Sequence, residues 1–390
     1  MNPHDQFCHN RDCWAYGCRG EGHIVIHSQR ERRYQCRRCG QTFAATRGTA
    51  LYRAHQAADV VVQVVTLLAH GCPPQAIVAA FGWDERTVAR YQAEAGGQCR
   101  RVHEHVVEAG RVDLGQVQAD ELRVRIVGGV LWVATALSVG SRLWLGGVVS
   151  AHRDRPLIRA LLARVRACGP TRAVLLCADG LSSYVSQARL VFREAVRTGQ
   201  GGRPRLVLPG EVLIAQMVKR YAKRRVVGVV RRVAQGAAEA VQARLVATQG
   251  SVAAVINTAF VARLNATFRA HLTVLVRRTR AAARQAATVE AGLWLVGACY
   301  NFCWCHDSLR HRRRAADPPG GPWVARTPAQ AAGLTDHPWS VQELLTFKGP
   351  PRRSNGGAGG PAGCGRSPMP PDHGSRGCYW SWEWPDKSGH

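Results

Sequence analysis

Residues 116–150 read QVQADELRVRIVGGVLWVATALSVGSRLWLGGVVS, and the order of apolar and polar positions in this stretch decides the fold. Val117–Val127, Leu131–Val139 and Leu143–Ser150 are alternating or continuously apolar, rich in Val and Leu, and parted by Gly-Gly or Gly-Ser. That pattern predicts three antiparallel strands. Gly140-Ser141-Arg142 interrupts the most apolar run, Ile126 to Ser150, and leaves pieces shorter than the ~20 residues a spanning helix needs. A β-hairpin is therefore expected there, not a membrane segment. A helical pattern from Asp154 to Arg166 and a buried strand, TRAVLLCAD (171–179), come next. Three strands, a helix, then a strand closing on an acid predict an α/β core.

Upstream, residues 1–55 hold too few aliphatic side chains to make a core unaided. Cys8-x4-Cys13 and Cys36-x2-Cys39, with Gly20, Gly22 and Gly40 nearby, have the layout of a zinc ribbon in which two knuckles each donate two thiolates. Four sulfur ligands complete a tetrahedron and leave no position for water, so such a zinc is structural. Cys18 is an alternative to Cys13 as the second ligand. Residues 56–110 carry three helical patterns, ADVVVQVVTLLAH (58–70), PPQAIVAAF (73–81) and DERTVARYQAEA (84–95), with breaks at Gly71 and Gly82. Asp84 sits where an N-cap belongs, and the spacing is that of a helix-turn-helix with Asp84–Ala95 as the recognition helix.

Downstream, the α/β domain is expected over 111–347, with an insertion at about 189–250 that holds the basic segment KRYAKRRVVGVVRRV (219–233). A long helical pattern, Asn257 to Gln285, and an apolar helix, Val289 to Cys305, close it. Residues 348–390 form a low-complexity tail rich in Gly and Pro.

A chain of 390 residues exceeds one ordinary core, which excludes a single small module. Its 53 Lys+Arg against 26 Asp+Glu give a formal charge of +27, so the expected partner is a polyanion, nucleic acid first. With 46% hydrophobic and 20% charged residues, most of the chain can bury a core. The opening MNPHDQFCHN has no apolar stretch of signal-peptide length, so the expectation is a cytoplasmic chain whose 14 cysteines are reduced.

Asp120 lies within the first strand and Asp179 ends the strand LLCAD. On a mixed sheet the first and fourth strands can be neighbours, which puts both carboxylates on one rim within reach of a divalent cation. Two carboxylates holding Mg²⁺ or Mn²⁺ are the minimum apparatus for in-line phosphoryl transfer. Each acid alone has a plainer reading, a satisfied strand residue for Asp120 and an Asp-Gly turn for Asp179.

Seven strings carry a more specific resemblance: RRYQCRRCGQTFAATRGT (32–49), QADEL (118–122), LLCADGLSSY (175–184), LVLPGEVLIAQMVKRYAKRRVVGVVRR (206–232), NTAFVARLNATFRAHLTVLVRRTR (257–280), YNFCWCHDSLR (300–310) and RTPAQAAGLTDHPW (326–339). The chain resembles DDE-type insertion-sequence transposases that join a zinc ribbon and a helix-turn-helix to a ribonuclease-H-like catalytic domain. The resemblance implies binding to the element's terminal repeats and metal-dependent cleavage and strand transfer of double-stranded DNA. It also implies a homodimer or larger assembly and a nucleoid-associated location. Asp120 and Asp179 match the family's first two metal-binding acids. Its third, a glutamate in N-T-x-x-[IV]-E-R-L-N, falls on Ala262, which cannot coordinate a cation; Glu211 and Glu290 lie outside the matching string. This departure implies impaired catalysis and raises a second expectation, a sequence-specific DNA-binding repressor without catalysis.

Arg86 and Arg90 stand one turn apart on the recognition helix, where they reach base edges or phosphates. Lys219, Arg220, Lys223, Arg224, Arg225, Arg231 and Arg232 crowd the insertion, and Arg263, Arg269, Arg277, Arg278, Arg280 and Arg284 surround the expected active-site helix. Charge runs are usually solvated faces, but at +27 overall phosphate binding is the better reading. Cys299, Cys303, Cys305 and His306 sit in an apolar segment, so they are read as core, not as metal ligands.

Overall fold

The computed structural model describes residues 1–170, 173–196, 203–223, 225–276, 282–314 and 319–350. The N-terminal part folds as a small three-stranded antiparallel sheet, β1 (Ile24–Ser28), β2 (Arg33–Cys36) and β3 (Thr42–Ala44), in the order β1-β2-β3. Its core is separate and small: Ile24, Tyr34, Phe43 and Ala15 pack around Cys8, Cys13 and Cys36.

Three helices follow, α1 (Ala58–Ala69), α2 (Pro74–Phe81) and α3 (Glu85–Val106). Gly82 takes the left-handed conformation that ends α2, and the Asp84 side chain accepts from the Arg86 N–H at 2.8 Å to cap α3. The third helix runs 22 residues, well past the expected end at Ala95. The helix continues through Gly96, whose bare Cα permits close contact with a later helix; a Cβ there would lie 2.5 Å from the Ala291 carbonyl oxygen. Val61, Val64, Ile77, Val88 and Tyr91 consequently share one hydrophobic core with the sheet described next.

That sheet has six strands in the order β11-β10-β7-β4-β5-β6. β4 (Gln116–Ile126), β5 (Gly129–Ser138) and β6 (Trp144–Ser150) form the expected antiparallel meander, with Asp120 opposite Thr135. α4 (Arg155–Cys168), capped by Asp154, leads to β7 (Leu175–Asp179), which runs parallel to β4. α5 (Ser182–Val191) and a short hairpin, β8 (Glu194–Val196) with β9 (Arg205–Val207), come next. β10 (Leu213–Ala222) pairs parallel with β7, and β11 (Arg225–Gln235) turns back antiparallel to form the edge. Residues 213–235, expected inside an insertion, are thus two strands of the main sheet. Leu213 to Gln216 are buried, but the following Lys219 to Ala222 project into solvent, and this basic half masks the short apolar run in sequence.

α4 and α5 cover one face of the sheet through Leu157, Ile158, Tyr184 and Ala188. α6 (Ala238–Gln249) covers the other through Val241 and Leu245 against Leu175, Cys177, Leu213 and Ala215. On the same side, α7 (Ala259–His271) lies on β4 and β5. The helix expected over 257–285 ends at His271: Leu272 is extended and Thr273–Leu275 make a single 3₁₀ turn. α8 (Ala286–Phe302) packs along α3 and onto β6, with Gly297 against the Trp144 ring. A twisted hairpin, β12 (His306–Arg312) and β13 (Trp323–Arg326), and two short helices, α9 (Pro328–Ala331) and α10 (Val341–Thr346), complete the described chain. Gln98 of α3 donates to the Phe347 carbonyl at 2.6 Å, tying the last segment to the helical part. No helix among the described residues is long and apolar enough to cross a membrane.

Candidate metal centres and nucleic-acid surfaces

Register places the acids. In the parallel pair of β4 and β7, Ala119 stands beside Ala178, so the next residues outward are Asp120 and Asp179. One carboxylate oxygen from each of Asp120, Glu121 and Asp179 lies within 4.8 Å of the other two. The two acids read from sequence meet as expected, and Glu121 joins them. Alternation along a strand assigns Glu121 to the opposite face, which is why sequence gave it no role. The adjacent Asp-Glu pair was the available signal.

Each carboxylate is held from several sides. Asp120 Oδ2 accepts from Asn265 Nδ2 at 2.9 Å, and Asn265 Oδ1 accepts from Thr135 Oγ1 at 2.9 Å. Asp179 Oδ1 accepts from the Leu181 N–H at 3.0 Å, while its own carbonyl accepts from Gln216 Nε2 at 2.8 Å. Arg153 bridges the site, its Nη2 donating to Glu121 Oε2 at 2.8 Å and Asp179 Oδ2 at 3.2 Å. Its guanidinium rests 5.2 Å from the Trp132 ring centre. Burial pushes the Asp120 carboxyl above the usual carboxylate range and the Asp179 charge adds to this, against the Asn265 amide and Lys219. Burial raises Glu121 in the same way, against Tyr184 and Arg153. Two buried acids with raised affinity for protons, beside a third carboxylate, are poorly compensated without a cation.

Ala262 lies in the first turn of α7 and is exposed. Asn265, one turn later on the same helix, is the residue that faces Asp120. Glu290 is engaged elsewhere, with Arg100 at 3.1 Å. Asn265, Arg153 and Tyr184 were not singled out by sequence. Asn265 sits inside a quoted string, but a buried asparagine in an amphipathic helix carries no positional signal.

In the N-terminal sheet, the sulfurs of Cys8, Cys13, Cys36 and Cys39 lie within 4.8 Å of one another, and Cys8 and Cys39 approach to 3.7 Å. Four thiols so placed can bind a metal such as zinc. Cys18 is buried but is not one of the four. Among the described residues these are the two groups of metal-ligating side chains that converge. Cys299 lies in the α8 core, as expected, and neither Cys303, Cys305 nor His306 gathers into a third.

The basic residues divide into those bonded within the sheet and those exposed at the surface. Arg86 is exposed at the start of α3, and Arg90 lies over the Tyr91 ring at 4.9 Å. Lys219, Arg220, Lys223 and Arg225 are exposed at the outer end of the β10–β11 ribbon. Arg232 donates to Gln216 Oε1 at 2.6 Å and Arg231 to the Ile256 carbonyl at 3.0 Å, so these two brace the sheet. Arg263 and Arg284 are exposed and Arg269 is half-buried. Arg224, Arg277, Arg278 and Arg280 lie outside the described residues. No protein-family model and no curated protein matches this chain.

Proposed function

We propose that this chain is a DDE-type insertion-sequence transposase whose α/β domain is ribonuclease-H-like and whose third acid has been replaced by Ala262. The observation that carries the reading is the meeting of Asp120, within β4, and Asp179, at the end of the parallel neighbour β7, in a sheet ordered β11-β10-β7-β4-β5-β6. The donor set fits Mg²⁺ or Mn²⁺: oxygen ligands only, converging, with a guanidinium already drawn to them. Asp120 and Asp179 would hold the ion. A cation bound there supplies activation of a hydroxyl nucleophile and neutralises charge on a phosphodiester. The chain's own residues orient the carboxylates: Asn265 fixes Asp120, and the Leu181 N–H fixes Asp179.

The four-cysteine sheet is a structural zinc ribbon, and α2–α3 form a helix-turn-helix that presents Arg86 and Arg90 to the terminal repeats. The exposed Lys219, Arg220, Lys223 and Arg225 bind the backbone of double-stranded DNA next to the acids, and two ends are joined in a dimer or larger assembly. Ala262 favours a second reading, a DNA-binding repressor derived from such an enzyme.

Strand transfer with labelled repeat ends and Mn²⁺, run beside Ala262→Glu, separates the two. The enzyme reading predicts native activity that rises in the variant. The repressor reading predicts specific binding, no native activity, and a gain on restoring the acid. Equal, robust activity in both proteins defeats the role given to position 262.

A further inference from the structure

Glu121 has a feature that the pairing of Asp120 and Asp179 does not use. Its side chain is 1% exposed, yet carboxylate oxygen Oε1 has no hydrogen-bond partner. The Tyr184 hydroxyl approaches the carboxylate without reaching a hydrogen bond of normal geometry and is itself unpartnered. With only the Tyr184 hydroxyl near it, this buried oxygen is poorly repaid for the water it has lost. It lies within the group where one oxygen each from Asp120, Glu121 and Asp179 come within 4.8 Å. The only positive group bonded to two of these acids among the described residues is Arg153, whose Nη2 reaches both Glu121 and Asp179. Arg153 follows the end of β6 and precedes the Asp154 cap of α4, and its side chain is 36% exposed. It can therefore swing out without disturbing either element.

We propose that Glu121 is the third carboxylate of a divalent-cation site with Asp120 and Asp179, and that the Arg153 guanidinium stands in the cation's place until one binds. The inference rests on the reading of Asp120 and Asp179 as metal ligands and deepens it. Position 262 need not supply a carboxylate for the ion to be held, because Glu121 approaches from the other face of the sheet. Arg153 makes binding an exchange of one cation for another, so affinity is lower than three carboxylates alone would give.

The test is Mn²⁺ binding to the zinc-loaded full-length chain, followed by electron paramagnetic resonance, with folding checked by circular dichroism. Glu121→Gln is expected to weaken Mn²⁺ at least about 10-fold, since losing a ligand exceeds the effect of disturbing its support. Arg153→Gln is expected to tighten it by releasing Asp179 and Glu121, and to tighten it less in the Glu121→Gln background, a dependence that a purely structural role for Glu121 does not produce. Should Glu121→Gln fail to fold, Glu121→Asp retracts the carboxylate by one methylene while keeping its charge, and should weaken Mn²⁺ as well. Wild-type affinity in the folded Glu121 variants, with Asp179→Asn weakened, overturns the proposal and leaves the two-aspartate reading standing. Unchanged binding in Asp120→Asn and Asp179→Asn overturns both.

Discussion

Replacing Asn265 by Asp changes one amide to a carboxylate of the same shape, which makes it a clean probe of the acid cluster. The Thr135 hydroxyl keeps its acceptor, but the donor that meets Asp120 at 2.9 Å becomes an oxygen. At about 4 Å and an effective dielectric constant near 20, two full charges repel by about 4 kcal/mol, and the lost bond to a charged group contributes about 1.5–3 kcal/mol more. Proton uptake caps this sum. Protonating one carboxyl with an unfolded value of ~3.9 at pH 7 costs about 4 kcal/mol, so the fold takes a proton once repulsion exceeds that. Asn265→Asp should therefore lose about 4 kcal/mol at pH 7 without added divalent cation. The pair's folded affinity for protons is raised above the unfolded one, so stability falls as pH rises above about 4. The slope relative to wild type is about 1.4 kcal/mol per unit for one proton, up to the pair's own raised value. Urea melts of both proteins from pH 5 to 8 measure this, and Mn²⁺ should restore most of the loss. A variant as stable as wild type at pH 7, or a deficit that does not change with pH, refutes the placement of Asn265 against a charged Asp120.

Zinc analysis of the purified chain should find about one metal per molecule, and Cys36→Ser should abolish it and expose the N-terminal sheet to protease while the main unfolding transition survives. The core of this sheet has little besides Ile24, Tyr34 and Phe43 to hold it. Affinity for double-stranded DNA should drop about 10³–10⁵-fold between 50 and 200 mM salt if six to ten phosphates are neutralised; a flat salt profile removes the backbone role given to the ribbon arginines and lysines. Gly297→Ala places a Cβ 2.1 Å from the Trp144 ring, so α8 must shift and the melting temperature should drop, with overpacking typically worth about 1–3 kcal/mol.

The core sheet was legible because its signals are local. Strand alternation in 116–150 and the apolar run into Asp179 each depend on a few neighbouring residues, and both strands of acids emerged beside one another. Cysteine spacing was equally local, and the four sulfurs converge. Reading failed where a residue's meaning depends on a distant partner. The third helical pattern, expected to end at Ala95, runs on to Val106 because α8 lies against it at Gly96. The β10 strand looks like a basic insertion because only its first half is covered. Glu121 and Arg153 acquire a role only from each other, across 32 positions of chain.

The relation between positions 262 and 265 shows what an alanine at position 262 leaves in place. Val261, Leu264, Asn265 and Phe268 form the buried stripe of α7, so the helix is fixed on the sheet by residues that Ala262 does not touch. Position 262 lies three residues before Asn265, about 4.5 Å along the axis and about 60° around it. A long carboxylate side chain could span that offset towards Asp120, whereas a methyl group cannot. An alanine there offers no carboxylate from the solvent side of α7 but leaves the Asn265 bond, the Asp179 turn and Glu121 in place. On the proposed reading, cation binding and catalysis separate: the first would rest on residues 120, 121 and 179, the second additionally on a group above the phosphate that Ala262 does not provide. Mn²⁺ affinity should accordingly change little in Ala262→Glu while strand transfer rises, and a large gain in affinity with no gain in transfer would reverse that assignment.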